Sequence, residues 1–417
     1  MVGRAARSIM TLHMAILNKK KVLLGVTGSI AAYKAADVAS KLTQAGALVD
    51  VILTSSAEWF ISGLTFQSVT GRRALVDHDL WGGEAHVLHV GLGRAADLLV
   101  IAPCTAETLA KLAHGNADNL LTITALAARC PLLIAPAMDG GMLDHPATQQ
   151  NLSMLRSRGV TVAGPAVGHL ASGMEGLGRM LEPSEIIGHI RLILGRTGPL
   201  ASRKVVVSAG GTREPLDPVR FLSNRSSGKQ GYALAQAAID AGADVTLVHT
   251  PSGLPAPVGA ERIEVETVQE MLDAVLSAAA GADALIMAAA PADFRPRQTS
   301  RDKLKRRDGV PALELEPAPD ILGAVEEKLA GSLRPRVVVG FAAESRDLLK
   351  NAMEKLKAKK LAFIAANDIT DPEAGFGTEV NRVTLLFPDG GQEVLPLQSK
   401  DAVAEAIIGH VARLLPS

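Results

Sequence analysis

Short, unbroken apolar runs recur along this chain, each ending at a glycine or a hydroxyl and each followed by a stretch of helical period. Residues 21–27 (KVLLGVT) form the first run, Gly28-Ser29 turns it, residues 30–44 carry the helical pattern, and Gly46 stops the helix before LVDVIL at 48–53. A run with no polar alternation suits a strand buried on both faces, and strand, turn, helix, stop, strand is the βαβ unit. Buried-strand patterns return at 98–101 and 132–135, with helical stretches at 105–112 and 120–129.

A second series opens at 204–208 (KVVVS). Gly210-Gly211, a long loop, a helix over 228–241 and a strand at 244–248 follow, with later strands predicted at 284–289, 337–341, 361–365 and 382–387. Between the series, residues 194–203 (LGRTGPLASR) interrupt the apolar pattern with Gly, Pro, Ser and charge, as a linker does. The pattern predicts an α/β protein of two Rossmann-like, doubly wound parallel-sheet domains, 19–193 and 204–417, after an extension at 1–18 expected to be disordered.

Composition narrows the function. Lys plus Arg and Asp plus Glu are both 43, so the formal charge is zero. A nucleic-acid partner, which calls for excess Lys and Arg, is not expected. No stretch combines the length and apolarity of a membrane span, and the basic N-terminal segment lacks an A-x-A cleavage site. Cys104 and Cys130 are the only cysteines, which argues for a reducing, cytoplasmic setting.

In open α/β sheets ligands sit beyond the carboxyl ends of the strands, so those loops hold the candidate chemistry. Gly28-Ser29 at a helix start suits a phosphate, because free N–H groups point at it. No G-x-G-x-x-G is present there, and no acidic residue ends the second strand to hold a ribose hydroxyl. That strand runs into Thr54-Ser55-Ser56, and its counterpart in the second half ends His249-Thr250. Both absences favour a mononucleotide or flavin phosphate over NAD. The GLGRAA stretch from Gly91 precedes a strand instead of following one and is set aside. Residues 102–106 (APCTA) and 136–142 (PAMDGGM) end neighbouring strands in small residues, which would let a flat ring lie against backbone. Each alone reads as an ordinary tight turn. The ten histidines form no H-E-x-x-H and no zinc spacing, and a lone one such as His89 is more often structural than catalytic. In the second half, 210–220 is a long loop leading into SNRSSGK at 223–229, an anion pocket by composition. AAAPAD offers Asp293 to Mg2+ or a ribose. The basic cluster 301–307 is a solvated face unless a triphosphate lies near it.

Taken in order, these stretches resemble the bacterial bifunctional phosphopantothenoylcysteine decarboxylase / phosphopantothenate–cysteine ligase family of coenzyme A biosynthesis. HVGLGRAADLLVIAP, PAMDGGM and GRM match its flavoprotein half. AGGTREPLDPVRFLSNRSSGKQG, AAAPADF, Pro319-Asp320-Ile321, VGFAAE and Asn367-Asp368 match its ligase half, collinearly from about residue 20 to the C-terminus. The resemblance implies FMN bound by Gly28, Ser29, Thr54, Ser55, Ala102, Pro103, Thr105 and Ala106. It makes His89 the base as flavin oxidises the cysteine moiety to a thiocarbonyl; CO2 then leaves, and the hydride returns with a proton to give 4′-phosphopantetheine. For the second half it implies CTP-dependent joining of 4′-phosphopantothenate to cysteine through an acyl-cytidylate, with Mg2+ offsetting the triphosphate charge. Asn224 and Arg220 would serve the acyl-cytidylate and phosphopantothenate. Ala290, Asp293, Lys303, Pro319, Asp320, Ile321, Phe341, Lys355 and Lys359 would serve the nucleotide, and the metal ligands are unassigned. Homo-oligomers are implied too, a trimer by the flavoprotein half and a dimer by the ligase half, with active sites between subunits.

Two positions depart from the family pattern. Where the family has Asn after P-A-M, this chain has Asp139, and two carboxylates about 4 Å apart would repel by roughly 4 kcal/mol at an effective dielectric of 20. The side chain must be protonated, turned away, or replaced by backbone amides in holding a substrate carboxylate. Where many members carry the flap cysteine that donates a proton in the reductive step, this chain has Ser172, a far weaker acid, to be helped by water or Glu175. An alternative therefore has the ligase active and the flavoprotein half impaired in reduction or serving as a flavin-binding regulatory module. An NAD-dependent dehydrogenase is the remaining reading, disfavoured by the missing acidic residue.

Overall fold

Which face each apolar residue takes is set by the two-residue period of a strand. In β1 (Lys21–Val26), Val22, Leu24 and Val26 join one hydrophobic cluster while Leu23 joins the other. The computed structural model describes residues 15–81, 87–306, 312–344, 346–368 and 377–416. Residues 1–14 of the expected extension lie outside them, whereas Leu17, at the extension's inner end, is fully buried. The chain divides into two compact units between Leu194 and Gly195.

In the first unit β1, β2 (Leu48–Leu53), β3 (Leu75–Val76), β4 (Leu98–Cys104), β5 (Leu132–Pro136) and β6 (Thr161–Val162) form one parallel sheet, ordered β3-β2-β1-β4-β5-β6. In β4, Leu98, Val100 and Ala102 face one core and Leu99 and Ile101 the other, so the unbroken run is explained by helices on both faces. The strand order reverses between β1 and β4, the switch point at which such sheets open a crevice. Thr105 caps the helix Ala106–His114 through its side chain, and Asn119 and Thr122 close a capping box on Leu120–Ala127. An antiparallel hairpin, β7 (Ala166–His169) and β8 (Glu175–Arg179), stands apart from the sheet.

The second unit repeats the plan with additions. β9 (Lys204–Ala209) is followed by a hairpin, β10 (Arg213–Pro215) and β11 (Phe221–Ser223), inside the loop read as irregular. β12 (Asp244–His249), β13 (Glu261–Glu264) and β14 (Ala284–Met287) come next, then a second hairpin, β15 (Phe294–Pro296) and β16 (Leu315–Pro317). β17 (Val337–Glu344), β18 (Phe363–Asp368), β19 (Val380–Asn381), β20 (Thr384–Leu386), β21 (Gln392–Val394) and β22 (Gln398–Ser399) complete it. The large sheet runs β13-β12-β9-β14-β17-β18-β20-β21, parallel as far as β18 and antiparallel beyond it. The stretch read as a linker packs within this unit: Leu200 is fully buried, and a Cβ on Gly198 would stand 2.3 Å from the Ala241 carbonyl oxygen. Among the described residues no helix is long and apolar enough to cross a membrane.

Gly231, in the helix Lys229–Asp240, lies against β9: an added Cβ would be 2.5 Å from Ala209 Cβ and 2.8 Å from the Ser208 carbonyl oxygen. Strand backbone cannot give way as a side-chain tip can, so Gly231→Ala should lower stability by about 1–3 kcal/mol. Gly91→Ala, with open space and helical backbone, should raise it by roughly 0.5–1 kcal/mol. Urea unfolding midpoints of the two variants test this, and equal shifts would show that close packing is not what requires glycine at 231.

Candidate active sites

At the carboxyl edge of the first sheet a cavity of about 480 Å3 is lined by the ends of four strands: Gly28 and Ser29 after β1, Thr54 to Ser56 after β2, Thr105 to Thr108 after β4, and Ala137 and Met138 after β5. Its floor is tied by buried Thr27, whose hydroxyl donates to the Pro103 carbonyl at 2.7 Å and accepts from the Thr105 N–H at 3.1 Å. This bond locks the β1 and β4 loops together across the switch point. Gly28 is there for approach: any Cβ would stand 2.4 Å from Ser56 Cβ. Asp77, which sequence reasoning missed, accepts from the Ser55 hydroxyl at 2.6 Å and from the Leu120 N–H at 3.0 Å, holding the β2 loop to a helix start. The predicted Gly28, Ser29, Thr54, Ser55, Thr105 and Ala106 all line this cavity; Ala102 and Pro103 lie under it in the strand end.

A second cavity, about 460 Å3, shares Ser29, Ala137 and Met138 with the first and is roofed by the β7–β8 hairpin. The hairpin is docked at two points. The Met138 N–H donates to the Gly178 carbonyl at 3.0 Å, with Gly178 so close that a Cβ would meet Met138 O at 2.2 Å. At the tip, the Ser172 hydroxyl donates to Asp139 Oδ2 at 2.6 Å, while Asp139 Oδ1 accepts from the Gly141 N–H at 3.0 Å. Both oxygens of Asp139 thus meet a donor, and the Ser172 hydroxyl and the Gly141 amide hold its carboxyl below the ordinary carboxylate value. Lys34 was also missed, although a lysine inside the apolar stripe of Ala32–Gln44 was the available signal. Buried among aliphatic neighbours, its ammonium donates to Met180 O at 3.0 Å and to Glu182 at 2.9 Å, and this bond lowers the Glu182 pKa despite partial burial.

His89 lines neither cavity. It sits in the helix Leu88–Ala95, and its Nδ1 is buried with no hydrogen-bond partner among the described residues. The GLGRAA stretch belongs to the same helix, as its place ahead of a strand implied. Cys104 ends β4 fully buried, and burial pushes its thiol up to about 12.

The second unit's cavity, about 740 Å3, is lined by Lys229, Lys355, Lys359 and Lys400 together with Asp293, Asp320 and Glu354. It gathers the start of the helix Lys229–Asp240, the loop after β14 with Ala290 and Asp293, the Pro319-Asp320-Ile321 turn, Phe341 on β17, and Lys355 and Lys359 from the helix Leu348–Ala358 and its cap. The β9 end sets that loop: the Ala289 N–H donates to Ser208 Oγ at 3.1 Å and the Ala292 N–H to buried Thr212 Oγ1 at 2.9 Å. Lys355 Nζ donates to the Phe341 carbonyl at 2.9 Å, and Lys359 pairs with Asp320. Burial works to raise the Asp320 pKa, but the Lys359 bond and the Gly323 N–H outweigh it and leave it lowered. Buried Lys400 also lines the cavity; burial and the charge of Lys229 lower its pKa.

Arg220, Asn224 and Lys303 are not part of this lining. Asn224 Nδ2 donates to Pro291 O at 3.0 Å and Ala290 O at 3.3 Å, bracing the outside of the same loop. Arg220 donates to the Leu304 carbonyl and pairs with buried Asp217, which also accepts from the Leu304 N–H. The β10–β11 hairpin and the segment carrying Lys303 are thus one polar unit. Arg307 of the basic cluster lies outside the described residues, and among the described residues no cluster of three or more His, Cys, Asp or Glu is placed to hold a metal.

Two α/β units with polar cavities of different charge at their sheet edges define a two-site enzyme. Residues 11–195 match the flavoprotein family model, and 200–415 the DNA/pantothenate metabolism flavoprotein C-terminal domain. The chain is 44% identical to the coenzyme A biosynthesis bifunctional protein CoaBC of Bacillus subtilis over 96% of this chain and 98% of that one. It is 45% identical to CoaBC of Mycobacterium bovis over 95% of this chain and 97% of that one. A crystal structure of the C-terminal domain of CoaBC covers 52% of this chain and 98% of its own, at 35% identity and a TM-score of 0.45. The chain belongs to the CoaBC family: it is a bifunctional enzyme of coenzyme A biosynthesis, with phosphopantothenate–cysteine ligase and phosphopantothenoylcysteine decarboxylase activities.

Ser172→Ala removes one of the two donors to Asp139, so the Asp139 carboxyl should titrate higher than in the parent, toward the ordinary value. The carbonyl-carbon NMR titration of selectively labelled aspartate reads this, and an unmoved Asp139 midpoint would show that the hairpin tip does not hold the carboxylate.

Proposed function

We propose that the first unit binds FMN across the 480 Å3 cavity and that the second activates 4′-phosphopantothenate with CTP and Mg2+ in the 740 Å3 cavity. The observation that carries this reading is the division of donors. The first cavity offers the hydroxyls of Ser29, Thr54, Ser55 and Thr105 and backbone at Gly28, and its one lysine, Lys111, is paired with Glu107 and Asp118, which suits a flat ring whose phosphate tail is held by N–H and hydroxyl groups rather than by cations. The second offers Lys229, Lys355, Lys359 and Lys400 around one space, which suits a triphosphate.

In the ligase half the pantothenate carboxylate attacks the α-phosphate of CTP, pyrophosphate leaves, and the cysteine amine displaces CMP from the acyl-cytidylate. Lys355 and Lys359 neutralise charge that grows on the phosphates, Asp293 faces the nucleotide or its Mg2+, and Asn224 keeps the Ala290 loop in place. Arg220 and Lys303 ride on the hairpin unit, which supports a dimer in which that unit serves the partner's cavity. In the decarboxylase half FMN, when bound, supplies the two-electron acceptor that turns the cysteine moiety into a thiocarbonyl able to lose CO2. His89 takes up the thiol proton; its place outside both cavities and its unpartnered Nδ1 support a trimer in which it reaches the neighbouring site. Two free thiols suit the cytoplasm.

Purified protein should be yellow, absorbing near 450 nm, the flavin signature, and should release CMP from CTP only when both 4′-phosphopantothenate and cysteine are present. Lys355→Ala should lower that rate at least about tenfold, the loss of one charge-assisted contact, while decarboxylation of supplied phosphopantothenoylcysteine is unchanged. A colourless folded protein would overturn the FMN assignment, and CMP release unaffected by Lys355→Ala would overturn the placement of CTP.

A further inference from the structure

The decarboxylation cycle needs an acid as well as a base, and resting on the FMN reading above, the roofed cavity beside the flavin site is where it must stand. Ser172 cannot be that acid: its hydroxyl already donates to Asp139 Oδ2 at 2.6 Å, and losing the proton beside a carboxylate would be harder still. Asp139 is ionised. Cys104 is sealed in β4, and Cys130 is raised by burial and lines neither cavity of this unit. Lys34 is engaged by Met180 and Glu182, and Arg179 pairs with Glu182; a guanidinium does not give up a proton in any case. Tyr33 is a phenol, a class weaker as acids by about three powers of ten than imidazolium.

The remaining titratable side chain among the described residues of this cavity is His169, the last residue of β7. It is exposed, so solvent can reload it, and it stands on the hairpin that Ser172 and Gly178 dock over Asp139 and Met138. Its register partner across the hairpin is Glu175. Imidazole is the side chain whose class exchanges protons near neutral pH.

We propose that His169 is the catalytic acid of the reductive half, delivering a proton to the carbon that has lost CO2, while Ser172 and Asp139 act as positioning residues that hold its hairpin down. The π electrons of the ene-thiolate form the new C–H bond with that proton and leave a C=S group. The two electrons removed from the cysteine moiety in the oxidation return to that thiocarbonyl carbon as hydride from the flavin, giving the thiolate of 4′-phosphopantetheine. One proton replaces CO2, and the flavin ends as it began.

Full-length protein loaded with flavin is mixed anaerobically with phosphopantothenoylcysteine, following 450 nm absorbance, CO2 and product mass. In the parent the absorbance falls and recovers. His169→Gln should still release one CO2 per site at a rate within about threefold of the parent, then stall bleached, with a product two mass units light. Ser172→Ala should slow recovery without stalling it. In the nitrogen NMR spectrum of labelled histidine, the His169 signal of the parent should shift when 4′-phosphopantetheine is added, a readout independent of turnover. Full recovery in His169→Gln, or a stall in Ser172→Ala alone, would overturn the assignment. Failure to bleach in the parent would instead strike at the decarboxylase reading itself.

Discussion

Burial of both faces of both sheets is the constraint from which the rest follows. With Val22, Leu24 and Val26 pointing into one core and Leu23 into the other, little polar chemistry can be carried along the central strands. It is confined to where they stop. Thr27, Thr54 and Thr105 stand at three neighbouring ends in the first unit, and Ser208 and Thr212 flank the end of β9 in the second. Their hydroxyls first satisfy the backbone of adjacent loops, and the cavities are the space those tied loops leave. The sites depend on packing in that sense: loosening β1 against β4 would move the Thr27 bond to Pro103 and Thr105, and with it the first unit's cavity.

The two units apply one plan to different charge. The first ends its strands in glycine and hydroxyls; the second brings a helix carrying Lys355 and Lys359 over the ends of β17 and β18 and anchors them to Phe341 O and Asp320. A lysine tethered at its tip gives up less rotational freedom when a phosphate arrives, since part of that entropy is already lost on folding. Neutral overall composition conceals this division, because carboxylates lie beside the lysines of the second cavity: Asp320 pairs with Lys359 and Glu379 with Lys229.

Runs such as KVLLGV and LLVIAPC were legible because a doubly buried strand has to be apolar throughout; the strands read from such runs fall within a few residues of the observed ones, whereas the edge strands β3, β6, β13 and β21 were not read. The hairpins were not legible. Three-residue strands such as Arg213–Pro215 and Leu315–Pro317 are too short to show a period, and their partners are fixed by Thr299 and Ser300 bonding to Pro215 and Leu216, a contact far apart in sequence. The strand-end residues of the sites were legible because topology puts them there. Asp77 and Lys34 were not, since each acts through loops or strands distant in sequence. His89, Arg220 and Lys303 were named from motifs, and the fold of one chain leaves them off the cavities.

Asp139 and Ser172 looked like two separate losses in sequence, an amide replaced by a charge and a thiol by a weak acid. In the fold they are one contact. A carboxylate at 139 alone would face the substrate carboxylate unshielded; a serine at 172 alone would leave the hairpin tip without a charged acceptor. Together the hydroxyl and the Gly141 amide cover the charge, and the charge fastens the hairpin. In the proposed cycle such a pair fastens the hairpin at the expense of an acid, and His169 on the same hairpin supplies one. A chain that keeps both halves of the pair and a histidine three residues away has traded a thiol for a latch and an imidazole, and neither exchange makes sense without the other.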